Sequence, residues 1–428
     1  EKPLMKNTLA LILAGGRVGE LSVLTLSRPK SAVPFGGMYR VIDFPLSNLM
    51  HSGVEKVGIL SQYRSFSLVD HIGIGSWWDF VGRDRGATML LPSTGYRVGD
   101  WYKGTADAVY QNLEFIQQQN PETVLVLSGD HIYKMDYQPV LDYHREKDAD
   151  LTLAFYPIKP EQSSRFGVAE IDSEDGATGG RVLEYKEKPH DSEFSWASLT
   201  IYLFKPSVLM AVLKKNADSD SHEFGRDIIP KMIEKKKVYA YKFSGYWGYT
   251  RTIDEFWQTN MDLLGDSPKI DLESWQVRTN LDHDSVQDRP PARVGRNAVI
   301  ENSLVHNGCQ VDGEVSHSVL FAGVKVAEGA VVKNSVLFFD TVVNSGAVLD
   351  KTITDFDVQV GVDCVIGEGS NETPNKEYPN LLKSGISLIG KDVSLPPNVK
   401  IGRNCIIHPE MKENNFKEMK MESGTILS

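Results

Sequence analysis

"VGRNAVIENSLVHNGCQVDGEVSHSVLFAGVKVAEGAVVKNSVLFFDTVVNSGAVL", residues 294–349, carries β-branched and aliphatic side chains about every six positions, often followed by Gly, Asn or Asp. That period is the signature of a β-helix, whose triangular coils are each built from three short strands. An ordinary β-sandwich is the alternative, but the period persists through many turns and resumes at "VKIGRNCII" near Gly402. The intervening "GSNETPNKEYPN" (369–380) reads as a loop that interrupts the coil. Phe338 and Phe339 stand side by side, and strand neighbours point to opposite faces. One of them must therefore face outward, either onto a protein partner or under another part of the same chain.

Upstream the grammar differs. Residues 8–265 alternate short apolar runs ("TLALILAGG", "VEKVGILSQ", "TVLVLSGD", "ADLTLAFYPI") with amphipathic ones ("ADAVYQNLEFIQQQ", "YQPVLDYHREK"). Strand–helix–strand alternation predicts an α/β domain with a doubly wound, mostly parallel sheet, whose ligands sit beyond the carboxyl ends of the strands. Both "LAGG" and "LSGDHIY" lie at such ends. Residues 266–293 are polar and proline-bearing and read as a linker, leaving 294–428 for the β-helix.

Composition narrows the classes. Lys plus Arg is 46 and Asp plus Glu 57, a net charge of −11 over 428 residues, which argues against a nucleic-acid or anionic-membrane partner. The three cysteines (Cys309, Cys364, Cys405) are far apart, with neither a disulfide framework nor metal-ligand spacing, as suits a reducing cytoplasm. No apolar run approaches membrane length, and the start does not read as a signal peptide. A cytoplasmic location is expected.

The chemistry centres on "LILAGGRVGELSVLT" (11–25), a buried strand running into a glycine turn and then a helix. Such a turn offers backbone N–H groups to a phosphate, and Gly15 and Gly16 let the chain approach it closely. A plain strand–helix turn is the bland alternative. Glu20, at the rim of that turn, is the wrong charge for a phosphate site. Asp130 at a strand end can hold a metal ion or merely cap a helix. Lys30, taken singly, can be a solvated lysine.

"RPKSAVPFGG", "YRVIDFPLSN", "WYKGTADAVYQN", "SGDHIYKMDY", "SRFGV", "EYKEKP" and "EFGRDIIP" follow the glycine turn in that order. With the C-terminal β-helix they closely resemble the bacterial ADP-glucose pyrophosphorylase (glucose-1-phosphate adenylyltransferase) family. The resemblance implies a GT-A-like nucleotidyltransferase domain joined to a left-handed parallel β-helix that serves oligomerisation and regulation. It implies the reaction of ATP with glucose 1-phosphate to ADP-glucose and diphosphate in glycogen biosynthesis. A tetramer, homomeric or mixed with an active paralogue, and control by a metabolite effector are implied as well. By this resemblance Lys30 and Asp130 are catalytic, and Asp130 is also the ligand of Mg²⁺. Gly15, Gly16, Gln62, Gly104 and Thr105 would bind the nucleotide, and Gly167, Glu187, Lys188, Ser198 and Asp227 the sugar phosphate.

The chain departs from the family where charge is handled. The family turn reads A-G-G-x-G-T-R-L, and here Val18, Gly19 and Glu20 stand for its Gly, Thr and Arg. A unit charge about 4 Å away is worth roughly 4 kcal/mol at an effective dielectric near 20, so losing that arginine is worth about a thousandfold in rate. The family motif Y-W-R-D-V-G-T becomes Tyr246-Trp247-Gly248-Tyr249-Thr250-Arg251-Thr252, and Tyr249 replaces a metal-binding aspartate. A neutral phenol is a poor Mg²⁺ ligand, so the ion's site is weakened or lost. Thr200 replaces a preferred glycine and crowds the sugar pocket. Arg17 could stand in for the lost arginine, and Asp254 for the lost aspartate. The expectation is an impaired or regulatory subunit. The alternatives are an active enzyme with a modified site and an acyltransferase built on the β-helix around His306 or His317.

Overall fold

The structure, a computed structural model, describes Met5 and residues 7–16, 18–93 and 101–428. Nine strands of the first half form one sheet: β1 (Thr8–Leu13), β2 (Lys56–Leu60), β3 (Gly86–Leu90), β4 (Thr123–Ser128), β5 (Leu151–Pro157), β6 (Gly167–Ile171), β7 (Gly179–Glu187), β8 (Trp196–Phe204) and β9 (Val238–Lys242). Their order is β3-β2-β1-β4-β8-β5-β9-β7-β6. β1 and β4 are almost wholly buried, as central strands covered on both faces must be, which is why they read as unbroken apolar runs.

The parallel run predicted from strand–helix alternation holds across β3-β2-β1-β4. Beyond it the sheet is mixed, because β8 enters antiparallel between β4 and β5. Leu13 of β1 pairs with Ser128 of β4, so the glycine turn and Asp130 leave the sheet side by side.

Two local expectations are corrected. The turn continues not into an α-helix but into a 3₁₀ segment, Gly19–Thr25, broken at Ser22 (φ 49°). Leu21, Val23 and Leu24 are all buried, on either side of the break at Ser22. The amphipathic run at 105–119 is two helices, Thr105–Gln111 and Leu113–Gln119. They part at Asn112, whose amide donates to Ala108 O (2.8 Å) and to the Tyr102 hydroxyl (3.0 Å).

In the second half three parallel ladders stack coil upon coil: one through Arg293–Val294 to Gln359–Val360, one through Val299–Glu301 to Lys420–Met421, and one through Leu304–Val305 to Ile426–Leu427. This is the left-handed parallel β-helix. Residues 369–386 loop out between the strands ending at Glu368 and beginning at Ser387, and Asn404 ties the loop back by donating to Thr373 O (2.8 Å).

The third ladder explains the paired phenylalanines. Leu320, Leu337, Ile389 and Ile407 fill the coil, whereas Val319, Val336, Leu388 and Ile406 point out into a cluster shared with Phe35, Phe44 and Phe256 of the first half. The expectation that one of the two points inward is corrected: Phe338 and Phe339 lie not on a strand but at the corner after Val336–Leu337, so strand alternation does not apply and both join the outward cluster, 0% and 2% exposed. The outward face is covered by the same chain, with Phe256 packed edge-on against Phe338 at 6.2 Å. Residues 266–293 join this packing: Ile270, Trp275, Val277 and Val286 are buried, and Trp275 Nε1 donates to Asn48 Oδ1 (3.0 Å). Among the described residues no helix is long and apolar enough to cross a membrane.

Candidate functional site

A cavity of about 530 Å³ opens beyond the carboxyl ends of β1 and β4. Gly15, Gly16, Gln62, Gly104, Thr105, Asp130, Gly167, Glu187, Lys188, Ser198, Thr200 and Tyr249 all line it. Residues scattered over most of the first half thus converge on one space. Among the described residues, no atom beyond Gly16 and its chain neighbours lies within 4 Å of where a Cβ would stand, so the turn faces open room.

Lys30 and Asp227 are placed differently. Lys30 is buried behind the wall, its Nζ 3.2 Å from Asp130 Oδ2 and 5.4 Å from the centre of the Tyr249 ring. Burial pushes the Lys30 pKa down, and Asp130 opposes the shift. Burial works against the charge on Asp130 too, but Lys30, His131 and the Ser128 hydroxyl outweigh it and hold the carboxyl well below its usual range. Asp227 accepts from Ser221 Oγ and from the Glu223 amide, both at 2.7 Å. It therefore fixes the segment carrying Glu223, which in turn accepts from the Thr105 hydroxyl at 2.6 Å.

Gln62 uses both ends of its amide on Tyr102, accepting from its N–H (2.8 Å) and donating to its carbonyl (3.2 Å). Each end keeps a second hydrogen-bonding position, one N–H and one lone pair, that an adenine edge could use. Gly167 is required by close approach: a Cβ there would lie 1.8 Å from the Tyr185 hydroxyl and 2.7 Å from Glu187 Oε2. Lys188 holds φ at 46°, an uncommon conformation for a residue with a side chain, and donates its amide to Phe166 O (3.0 Å).

The departures show what became of the charges. Val18 packs against the apolar cluster between the two halves. Arg17 lies outside the described residues. Glu20 does not project a bare negative charge: Arg251 Nε donates to Glu20 Oε1 at 2.9 Å, and a second guanidinium nitrogen lies 2.9 Å from the same oxygen. Partial burial disfavours the Glu20 charge, yet its own backbone N–H and Arg251 prevail and lower the pKa. The repulsion expected of Glu20 is thus largely cancelled within the site. Arg251 stands where the family motif has glycine, a signal present in the sequence but weighed only as part of the stretch around Tyr249.

Tyr249 sits in an aromatic box, 4.8 Å from Phe166, 5.3 Å from His131 and 5.4 Å from Trp247 between ring centres. Burial raises its pKa, against the pull of Arg251, so it stays a neutral phenol at pH 7. Asp254 cannot replace the missing carboxylate in this arrangement, because it is bonded to Ser384 of the β-helix. Among the described residues no group of three or more His, Cys, Asp or Glu side chains is placed to hold a metal ion. Asp130, with Lys30 and Ser128 already on its oxygens, is a poor fit for Mg²⁺ by itself.

Thr200 occupies the β-bulge between Ser198 and Tyr202 with φ at 55°, a left-handed conformation that a β-branched side chain tolerates badly. Thr200→Gly removes a penalty of about 1–2 kcal/mol and adds the backbone entropy of glycine, about 0.5–1 kcal/mol. A net stabilisation of up to about 1.5 kcal/mol is expected, read as a higher midpoint of denaturation.

Two buried histidines set an acid limit. Burial pushes His131 and His144 down to about 4. In the unfolded chain each titrates near 6.5, so between about pH 6.5 and 4 the unfolded state takes up protons that the native state refuses. Stability should be full above that window and fall as pH drops through it. Denaturation midpoints at pH 7 and 4.5 check this, and His144→Gln, which lies away from the cavity, should show a shallower slope.

His306 and His317 are taken up elsewhere. His306 is half-buried with its ring against Gly37, and His317 Nδ1 lies 3.0 Å from Asn334 Oδ1 beside Trp257.

Comparison with known proteins agrees with this architecture. A nucleotidyl transferase family model matches residues 9–265, and a model of GlmU-like C-terminal hexapeptide repeats matches 290–389. The chain is 46% identical to the glucose-1-phosphate adenylyltransferase of Thermotoga neapolitana over 98% of each chain. It is 46% identical to that of Thermosipho melanesiensis, over 94% of this chain and 96% of the relative, and 38% identical to that of Acetivibrio thermocellus, over 98% and 97%. With its motifs gathered round one cavity and a β-helix behind it, the chain belongs to the glucose-1-phosphate adenylyltransferase family.

Proposed function

We propose that the chain is a catalytically impaired or regulatory subunit of the ADP-glucose-forming system of glycogen biosynthesis. It binds ATP and glucose 1-phosphate, or ADP-glucose, and converts them slowly or not at all. The carrying observation is Tyr249, a neutral phenol packed among aromatic rings where the family places a carboxylate. Asp130 is left as a lone carboxylate beside Lys30. Mg²⁺ binding is expected to be weak, and no step is derived through the ion.

Binding has support of its own. The Gly15–Gly16 turn leaves room for phosphates, Lys188 supplies positive charge on the sugar-phosphate side, and Glu187 offers a carboxylate to sugar hydroxyls. Ground-state binding of this kind survives the loss of contacts that matter only in the transition state. A tetramer, alone or with an active paralogue, and a metabolite effector complete the proposal, with the β-helix as the assembly and regulatory surface. Its ladder facing the first half is covered within the chain, so the other two ladders would carry those contacts.

The test is an adenylyltransferase assay on the purified chain, alone and mixed with an active paralogue, alongside calorimetry with ATP and glucose 1-phosphate. Little turnover alone, measurable binding of either ligand and a changed response of the partner are expected. Arg251 on the cavity wall favours a second reading, an active enzyme with a modified site. A normal turnover number with Mg²⁺ would establish it.

A further inference from the structure

Among the described residues the cavity wall carries four cationic side chains: Arg165, Lys188, Arg226 and Arg251. Only one of them is tethered to the segment that follows the glycine turn. Arg251 reaches back from a position 231 residues later in the chain, directing Nε to Glu20 Oε1 and one outer nitrogen toward the Tyr249 hydroxyl at 3.5 Å. A guanidinium has five N–H donors in a planar fork. Nε and one outer nitrogen face Glu20 and the other outer nitrogen faces the Tyr249 hydroxyl, which leaves one N–H on each outer nitrogen to offer into the cavity. The Arg251 side chain keeps 39% of its surface exposed, so the fork is accessible.

We propose that Arg251 is the residue that grips the outer phosphates of a nucleoside triphosphate at this site, and that Glu20 is its positioning residue. This deepens the nucleotide-binding reading above and rests on it. Glu20 anchors the guanidinium within the segment four positions beyond Gly16, where phosphates entering the open room at the turn would meet it. The carboxylate at the turn then has a purpose: it steers a cation supplied by a distant strand end. Because the Glu20–Arg251 pair is neutral overall, it offers directed hydrogen bonds without a large net charge. It therefore favours holding the triphosphate over stabilising charge that develops during transfer.

The experiment is calorimetry on the full-length chain with ATP, AMP and glucose 1-phosphate as separate probes. Arg251→Gln should weaken ATP about ten- to hundredfold, the usual range for a charge-assisted hydrogen bond. AMP and glucose 1-phosphate should be unchanged, which also shows that the variant is folded. The reciprocal double variant, Glu20→Arg with Arg251→Glu, rebuilds the pair with the cation on the turn and should recover most of the lost ATP affinity. A purely structural ion pair would lower the melting temperature in Arg251→Gln and in Glu20→Gln while leaving the ATP-to-AMP preference untouched. That result overturns the inference alone. Absence of ATP binding by the unsubstituted chain overturns both it and the nucleotide-binding reading.

Discussion

The purified chain should form ADP-glucose at least about a thousandfold more slowly than an active family member. On the reading proposed above, two substitutions act on the same charge. At the turn, the lone arginine of the family is replaced by a Glu20–Arg251 pair whose charges cancel. Beside that pair, Tyr249 supplies a buried phenol where the family motif has an aspartate. Phosphoryl-type transfer depends on positioning and on neutralising charge as it develops, so each defect lowers the rate of the chemical step more than it weakens binding.

Rescue follows the same logic. Glu20→Arg alone would bring a second cation against Arg251 and leave the metal side unrepaired, so it should restore little. Recovery should need Glu20→Arg and Tyr249→Asp together, with Arg251→Gly removing the displaced guanidinium. Steady-state rates with Mg²⁺ for the single and combined variants check this. Full activity from Glu20→Arg by itself would show that Tyr249 is no obstacle.

The second large effect lies where the two halves meet. Arg28 Nη1 lies 2.9 and 3.2 Å from the two oxygens of Asp355, with side chains only 6% and 1% exposed. Phe356 adds its amide N–H to Asp355 Oδ1 at 2.9 Å and its ring beneath the Arg28 guanidinium at 4.8 Å. Asp355→Ala leaves that guanidinium buried without a counter-charge, which costs about 3–5 kcal/mol. The expected result is a large fall in the denaturation midpoint. Arg28→Met with Asp355→Leu replaces both charges with apolar volume and should recover most of the loss, because the desolvation of the two charges offsets much of their attraction. Equal losses in the single and double variants would mean that shape, not charge, holds this junction.

Much of the fold was legible in order along the chain because its signals are local. The buried strands β1, β2, β4 and β5 announce themselves as apolar runs, and the β-helix by its six-residue period, since side-chain direction repeats with the backbone. Most candidate site residues lay in motifs at strand ends, and the sheet brings those ends to one side. Lys30 and Asp227 were equally visible as motif members, but only packing put them behind the cavity wall, as supports of Asp130 and Glu223.

What tertiary structure alone decided are matters of partnership. Adjacent phenylalanines on a strand would point to opposite faces, but Phe338 and Phe339 fall at a coil corner and both turn to the first half of the same chain, which depends on how two separately patterned surfaces meet. The antiparallel entry of β8 leaves no mark on an apolar run, because burial on both faces looks alike in either direction. Glu20 read alone is a repulsive charge, and Arg251 read alone is a substitution for glycine. Only the fold closes a separation of 231 positions to 2.9 Å, and a charge takes its meaning from what lies within a few ångströms of it, which local sequence does not contain.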